Sequence, residues 1–292
     1  MKKKVVAIGE ILWDVFPSHQ SPGGSSMNVA LHLHKQHIDC ELISAIGDDR
    51  LGTALKAYLG QQDFPTSFIQ TNYLPTSTVQ IELDEKQQAR YTILEPVAWD
   101  EIQPTPAAVN AVKEADAFVF CSLTCRNEVS RKTIFSLLPY ARLKVFDINL
   151  RPPFYTEATL LHLLNQTDLL KINEEELTFL ANALQFVSQT AECQLQELGE
   201  RFGIQIICLT LGDRGAAVWS KAGYFIHQGY QIEVVDTVGA GDAFLATFIA
   251  SHLKGNAIST TLDSACRVGS FVAAHAGANP AYNIEIAKLL AP

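Results

Sequence analysis

Short apolar runs recur along the chain and alternate with longer stretches of helical period. VVAIG (5–9), ELISAIG (41–47), AFVFCSL (117–123), LKVFDIN (143–149), DLLKIN (168–173) and IQIICLTLG (204–212) read as buried strands. Helices are predicted from about Met27 and about Arg50, and a helical segment lies between most of the later runs. This rhythm predicts an α/β fold with a mainly parallel sheet and helices on both faces.

One region breaks the rhythm. TSTVQIELDEKQQARYTI (76–93) alternates apolar and polar residues around DEKQQ, the pattern of an antiparallel hairpin. With residues 11–22 it is expected to form a small sheet projecting from the main one, as a lid or a subunit contact. Near the other end, Gln231 to Val235 is strand-like and Ala243 to His252 is helix-like. There are no internal repeats or low-complexity segments.

Composition narrows the classes. The chain has 292 residues, 48% apolar and 18% charged, enough for a large core. A net charge of −9 argues against a general nucleic-acid surface but leaves room for a local anion site. The N-terminal MKKKVVAIGEILWDVF has the lysines of a signal peptide. Its apolar run is broken by Gly9, Glu10 and Asp14, so a first strand over Lys4 to Ile8 is the better reading. The sequence has no uncharged run of about 18 residues, so no membrane span is expected.

The six cysteines are scattered, and CSLTC (121–125) has no second Cys/His pair at zinc spacing. Reduced thiols in a cytoplasmic protein are the expectation. HLHKQH (32–37) carries histidines at i, i+2 and i+5. That spacing does not bring all three to one helix face, so a solvated face is expected rather than a metal site.

The candidate chemistry sits in VVDTVGAGDAF (234–244). Gly239-Ala240-Gly241-Asp242 falls at a predicted strand-to-helix junction. Helix N-termini leave amides unpaired and carry partial positive charge, and glycines let an anion come close. The stretch is therefore a ready phosphate site. It is not a dinucleotide fingerprint, because Phe244 stands where the third glycine belongs, and the chain has no P-loop pattern. Asp242 has two readings: an acid in a first helical turn, or the base that takes a proton from an attacking hydroxyl.

DTVGAGDAF (236–244) resembles the signature of the ribokinase-like (PfkB) carbohydrate kinases, fructokinases included. The resemblance extends over essentially the whole chain, with the motifs in the family's order. It implies one ribokinase-like α/β/α sandwich over 1–292, with β lid elements at about 11–25 and 74–95. It implies Asp242 as catalytic base and Gly239, Ala240 and Gly241 as an anion hole. Asp14 and PGGSSMN, with Gly23, Gly24 and Asn28, resemble the sugar-binding pattern. FDINLR (146–151), with Asp147, Asn149 and Arg151 alternating along a strand, resembles the family's segment near the transferred phosphate, and Arg151 is the candidate phosphoryl contact. The same residues also fit an Asp–Arg pair at a strand end. KINEEE (171–176) resembles the N-x-x-E motif, which links Asn173 and Glu176 to nucleotide phosphates and water-bound magnesium; the pattern is equally a helix cap. TLGDRG (210–215) resembles the nucleotide turn, with Thr210 and Gly212 on the triphosphate path. AAHAGANP (273–280) resembles the adenine-side segment, with Asn279 as base contact. Asp236 is the matching position for a potassium-like ion. IGDDRLG (46–52) also matches, chiefly as a helix start capped by Asp48 or Asp49. Trp13, Phe16 and Tyr91 are candidates for packing over a sugar or within the core.

The implied activity is ATP- and magnesium-dependent phosphorylation of a sugar hydroxyl, with fructose first. 2-Keto-3-deoxygluconate, whose carboxylate would want a cation such as Arg90, and ribose are the alternatives. A catalytically inactive sugar or nucleotide sensor is the reading from a different class.

Overall fold

The computed structural model describes residues 2–83 and 89–290, the side chains of 81–91 aside. The first strand, β1 (Lys4–Ile8), is followed by β2 (Leu12–Val15), β3 (Gln20–Gly23), α1 (Ser25–Lys35), β4 (Asp39–Gly47), α2 (Arg50–Gln61) and β5 (Ile69–Asn72). The hairpin β6 (Ser77–Leu83) and β7 (Ala89–Ile93) leads to α3 (Pro106–Glu114), β8 (Ala117–Cys121), α4 (Glu128–Leu137), β9 (Lys144–Asp147) and α5 (Glu157–Leu164). Then come β10 (Leu169–Asn173), α6 (Glu174–Ala183), α7 (Ala191–Phe202), β11 (Ile206–Thr210), β12 (Ala216–Ser220) and β13 (Gly223–His227). Helices α8 (Ala240–Leu253), α9 (Ile258–Ala273) and α10 (Ile284–Leu290) follow.

Nine strands form the main sheet in the order β13-β12-β11-β10-β9-β8-β1-β4-β5. It is parallel from β11 to β5, and β12 and β13 add antiparallel at one edge. The six apolar runs read from the sequence are all strands of this sheet. Their two-residue alternation divides the core. Val6 and Ile8 pack into one buried cluster beneath α3–α7, while Val5 and Ala7 pack into another beneath α1, α2, α8 and α9. Three layers result, the ribokinase-like α/β/α sandwich. In α8 every residue from Ala243 to Ser251 is buried, as an apolar helix between layers must be.

The second sheet has the order β3-β2-β6-β7. The hairpin is antiparallel, and β2 joins it in parallel through pairs such as Asp14 with Val79. Trp13 turns away from this sheet's open side into the core, with Nε1 donating to the Leu51 carbonyl at 3.1 Å. Phe16 stacks on His19. The DEKQQ turn and the side chains of Arg90 and Tyr91 lie outside the described residues.

Asp49, rather than Asp48, caps α2. Its carboxylate accepts from Gly52 N at 2.7 Å, Thr76 N at 2.8 Å and Thr76 Oγ1 at 2.7 Å. One side chain thus ties a helix start to the entrance of β6. Asp49→Ala is expected to cost about 1–3 kcal/mol in urea unfolding, a lost cap plus the buried Thr76 hydroxyl left without its acceptor.

Two expectations are corrected. Gln231–Val235 forms no strand. It runs beside the sheet with Val234 and Val235 more than half exposed, and the Val235 amide donates to the Ala273 carbonyl instead of to a neighbouring strand. The apolar β-branched pattern is present, but pairing at this side of the sheet ends with β13. The 32–37 histidines do not form a solvated face either. His32 is fully buried, His34 packs edge-on against Phe64, and His37 lies beyond the helix end at φ 63°.

Candidate active site

The ends of β1, β2, β9 and β10 meet the starts of α1, α6 and α8 around a cavity of about 640 Å³. Strand ends and helix starts converge because parallel βα units point the same way, so the sheet's carboxyl edge collects polar chain ends. The small sheet supplies part of the wall through Leu12, Asp14, Val79 and Ile93. Among the predicted residues, Asp14, Gly24, Asn28, Arg151, Asn173, Glu176, Thr210, Gly239, Gly241 and Asp242 all line it.

Asp242 sits in the first turn of α8. Ser25 Oγ donates to its Oδ1 at 2.7 Å, and Asn28 Nδ2 donates to its Oδ2 at 2.8 Å. Both donors come from α1, so the start of that helix also aims the carboxylate. Burial, then the Asp147 charge, pushes the Asp242 carboxyl up to about 6, against the pull of Ser25, Asn28 and Lys171. Asp14 likewise rises to about 6 through burial and the charges of Asp236 and Asp242.

The α8 start has a glycine cap. Gly239 is its cap at φ 77°, and a Cβ there would fall 2.5 Å from the Ala278 Cβ. Only glycine takes this backbone conformation in that space without strain. The first amides of a helix have no acceptor within it; here Ala240 N donates to the Thr237 carbonyl at 3.3 Å, and Gly239 and Gly241 line the cavity. Gly24 does the equivalent at α1, where φ is 110° and a Cβ would lie 2.5 Å from the Glu10 carbonyl. Gly23 packs against the Asp14 carboxylate.

Lys171 completes the floor. Its ammonium lies 3.1 and 3.3 Å from the two Asp147 oxygens and borders Gly241. Burial disfavours its charge, but Asp147, Glu176 and Asp242 outweigh that and hold it protonated. Glu176 closes a capping box with Asn173. Its Oε2 accepts from Asn173 N at 2.8 Å and its Oε1 from Leu150 N at 3.0 Å. Burial and the Asp147 charge raise its carboxyl, against the pull of Lys171.

Other predicted residues sit differently. The strand ends at Asp147, and Asn149 follows at φ 41°, so the proposed alternation of Asp147, Asn149 and Arg151 along a strand is not seen. Asp147 pairs with Lys171 rather than with an arginine. Arg151 is exposed at the cavity rim and donates to the Leu150 carbonyl. Asp236 braces a turn, accepting from Val238 N and Gly277 N, each at 3.0 Å. A second cavity of about 420 Å³ is lined by Thr210, Gly212, Ala240, Tyr230, Ile232, Phe244 and Ala273. It continues from the first past Thr210 and Gly241. Asn279 is not in its lining. It donates to Asn28 Oδ1 at 2.7 Å instead, because the loop after α9 folds back onto α1.

Sequence reasoning missed three polar residues here. Lys171 looked like one charge in a strand, and Ser25 like part of a small-residue turn. Glu10 is buried, with Oε2 accepting from Ser26 Oγ, Thr124 Oγ1 and Cys121 Sγ. A charged residue inside an otherwise apolar strand was the available signal for Lys171, and one interrupting the apolar run between β1 and β2 was the signal for Glu10.

Chemically, the cavity sets a recessed carboxylate beside a helix start and a buried ammonium. That arrangement can deprotonate a hydroxyl while stabilising charge on a phosphoryl group.

The family model described as pfkB family carbohydrate kinase matches residues 4–284. A fructokinase of Salmonella typhimurium is 26% identical over 286 residues, covering 90% of this chain and 88% of that protein. The crystal structure of a fructokinase with bound ATP from Xylella fastidiosa superposes with TM-score 0.85 at 22% identity, covering 99% of this chain and 98% of that one. A fructokinase double mutant from Vibrio cholerae O395, in fructose, ADP and potassium ion bound form, has TM-score 0.80 at 25% identity, covering 95% and 94%. Sequence signature and fold agree with the family match, and the chain belongs to the PfkB family of carbohydrate kinases.

Proposed function

We propose that this carbohydrate kinase transfers the γ-phosphoryl group of ATP to a hydroxyl of fructose, giving fructose 6-phosphate. The observation that carries the transfer chemistry is Asp242 held by Ser25 and Asn28 at the start of α8, beside Gly241 and Lys171. Fructose is supported by the fructokinases among the similar proteins and by the Asp14 carboxylate in the cavity wall. Carboxylates accept from neutral sugar hydroxyls and repel an acidic sugar.

In the proposed reaction the hydroxyl oxygen attacks the γ-phosphorus and an O–P bond forms. The bond from that phosphorus to the bridging oxygen breaks, ADP leaves, and Asp242 receives the hydroxyl proton. The α8 amides and Lys171 face the phosphoryl oxygens as charge builds there. Thr210 and Gly212 line the route for the rest of the nucleotide. The small sheet serves as the lid that excludes water.

Magnesium fits this site in a particular way. Among the described residues no group of three His, Cys, Asp or Glu side chains could hold a metal directly. Both Glu176 oxygens already accept backbone N–H groups, so Glu176 would reach the ion through water. Bound with the nucleotide, the ion would neutralise phosphate charge. Asp236 offers oxygen ligands of the kind potassium takes.

The test is ADP release with ATP–magnesium against fructose, ribose, 2-keto-3-deoxygluconate, tagatose and adenosine. Fructose is expected to give the highest kcat/KM. A higher value with 2-keto-3-deoxygluconate would overturn the substrate and leave the transfer chemistry. ATP binding without turnover on any sugar would support the sensor reading. The pH profile is a second check. A base near 6 must be ionised, so kcat/KM is expected to fall below about pH 6 and to level above about pH 7.

A further inference from the structure

His32 lies in the HLHKQH run, on α1, one turn after Asn28 and one turn before Lys35. These three residues share a helix face, and all three grip the loop that follows α9. Asn28 Oδ1 accepts from Asn279 Nδ2, and Lys35 Nζ donates to the carbonyls of Asn279 at 2.9 Å and Pro280 at 3.2 Å. Between them His32, fully buried, meets the Ala278 carbonyl through Nε2 at 2.9 Å and the Tyr282 hydroxyl through Nδ1 at 2.7 Å.

The donors can be assigned. A carbonyl only accepts, so Nε2 carries the proton. Nδ1 then accepts from the Tyr282 O–H, and that hydroxyl accepts in turn from Gln36 Nε2 at 3.5 Å. Every polar atom of the ring has a partner.

The gripped carbonyl belongs to the residue that presses on the anion hole. Ala278 fills the space where a Gly239 side chain would be, within 2.5–2.8 Å of that missing Cβ. The adjacent Gly277 amide donates to Asp236. The loop is therefore held from behind by α1 and held in front against the cap of α8. The same helix α1 presents Ser25 and Asn28 to Asp242.

We infer that His32 is a positioning residue for phosphoryl transfer: through Ala278 it sets the Gly239 turn, and with it the amides that face the transferred phosphate. The inference rests on the kinase reading of the α8 start. His32 touches no substrate, so its loss should act on turnover and leave ligand binding nearly unchanged. A displacement of about 1 Å at a reacting centre is worth about 100-fold in rate.

The experiment compares wild type with His32→Leu, His32→Gln, Tyr282→Phe and Asp242→Asn. Each is assayed for sugar-dependent ADP release, with sites counted by ATP binding so that unfolded protein drops out. His32→Leu is expected to lower kcat per ATP-binding site by about 10- to 100-fold, with both KM values within about threefold. His32→Gln, which keeps a donor for the Ala278 carbonyl, is expected to recover most of that loss. Tyr282→Phe, which removes the hydroxyl that selects the tautomer, should fall between the two. Unchanged kcat per site in His32→Leu, or a gain in KM alone, overturns the inference while Asp242→Asn still tests the kinase reading. A wild type without turnover, or Asp242→Asn with full turnover, overturns both.

Discussion

Asp242→Asn is expected to lower kcat for sugar phosphorylation by about 10²–10⁴-fold while ATP–magnesium still binds. Asparagine keeps the shape and can accept from Asn28 Nδ2 through its carbonyl. It cannot take the hydroxyl proton. Steady-state ADP release and nucleotide titration separate the two effects, and near-normal kcat would remove Asp242 from the role of base. The same variant carries a stability signature of the opposite sign. The folded carboxyl titrates near 6 rather than 3.8, so the folded state binds the proton more tightly than the unfolded one. Its stabilising contribution is fully present below about pH 4 and is lost as pH rises through about 6. Above that, ionised Asp242 costs the fold up to about 3 kcal/mol. Asp242→Asn should therefore raise Tm at pH 7.5, with the gain shrinking towards pH 4. Loss of activity with a gain in stability is what a recessed functional carboxylate predicts; a purely structural helix-start aspartate would lose stability instead.

Lys171→Met is expected to damage both fold and reaction. Met has similar length but leaves Asp147 buried without its partner, and removing one member of such a pair costs about 3–5 kcal/mol. The proposed anion hole would also lose its ammonium, for an expected kcat loss of about 10²–10³-fold. One readout belongs to electrostatics alone. Lys171 holds the Asp242 carboxyl down, so without it the acid limb of kcat/KM should move above pH 6. Urea unfolding and the pH profile check the two parts separately. An unmoved acid limb with reduced stability would confine Lys171 to a structural role. Lys171 with Asp147 both exchanged for apolar residues should recover stability and not turnover.

Much of the architecture was legible in the residues. Strands buried on both faces of a parallel sheet have no polar side to show, so their apolar runs stand out against amphipathic helices. The hairpin at Thr76 to Ile93 was legible for a different reason, since apolar and polar residues alternate along its sequence. The Gly-Ala-Gly-Asp stretch was legible because two glycines beside an aspartate at a helix start stand out over four consecutive residues. Where the signal was only apolar and β-branched, as at Gln231 to Val235, it misled. A strand needs a neighbour with free backbone groups, and local composition does not report one.

Sequence alone determined the layered α/β fold and the local motifs, because burial periodicity, caps and tight turns are written over a few consecutive residues. Tertiary structure alone decided which distant side chains meet. Ser25 and Asn28 reach Asp242 across more than 200 positions of chain, Lys171 chooses Asp147 over solvent, and His32 turns from a surface expectation into a buried clamp on Ala278. Those pairings depend on how helices pack across a twisted sheet, which brings together groups that no spacing rule relates.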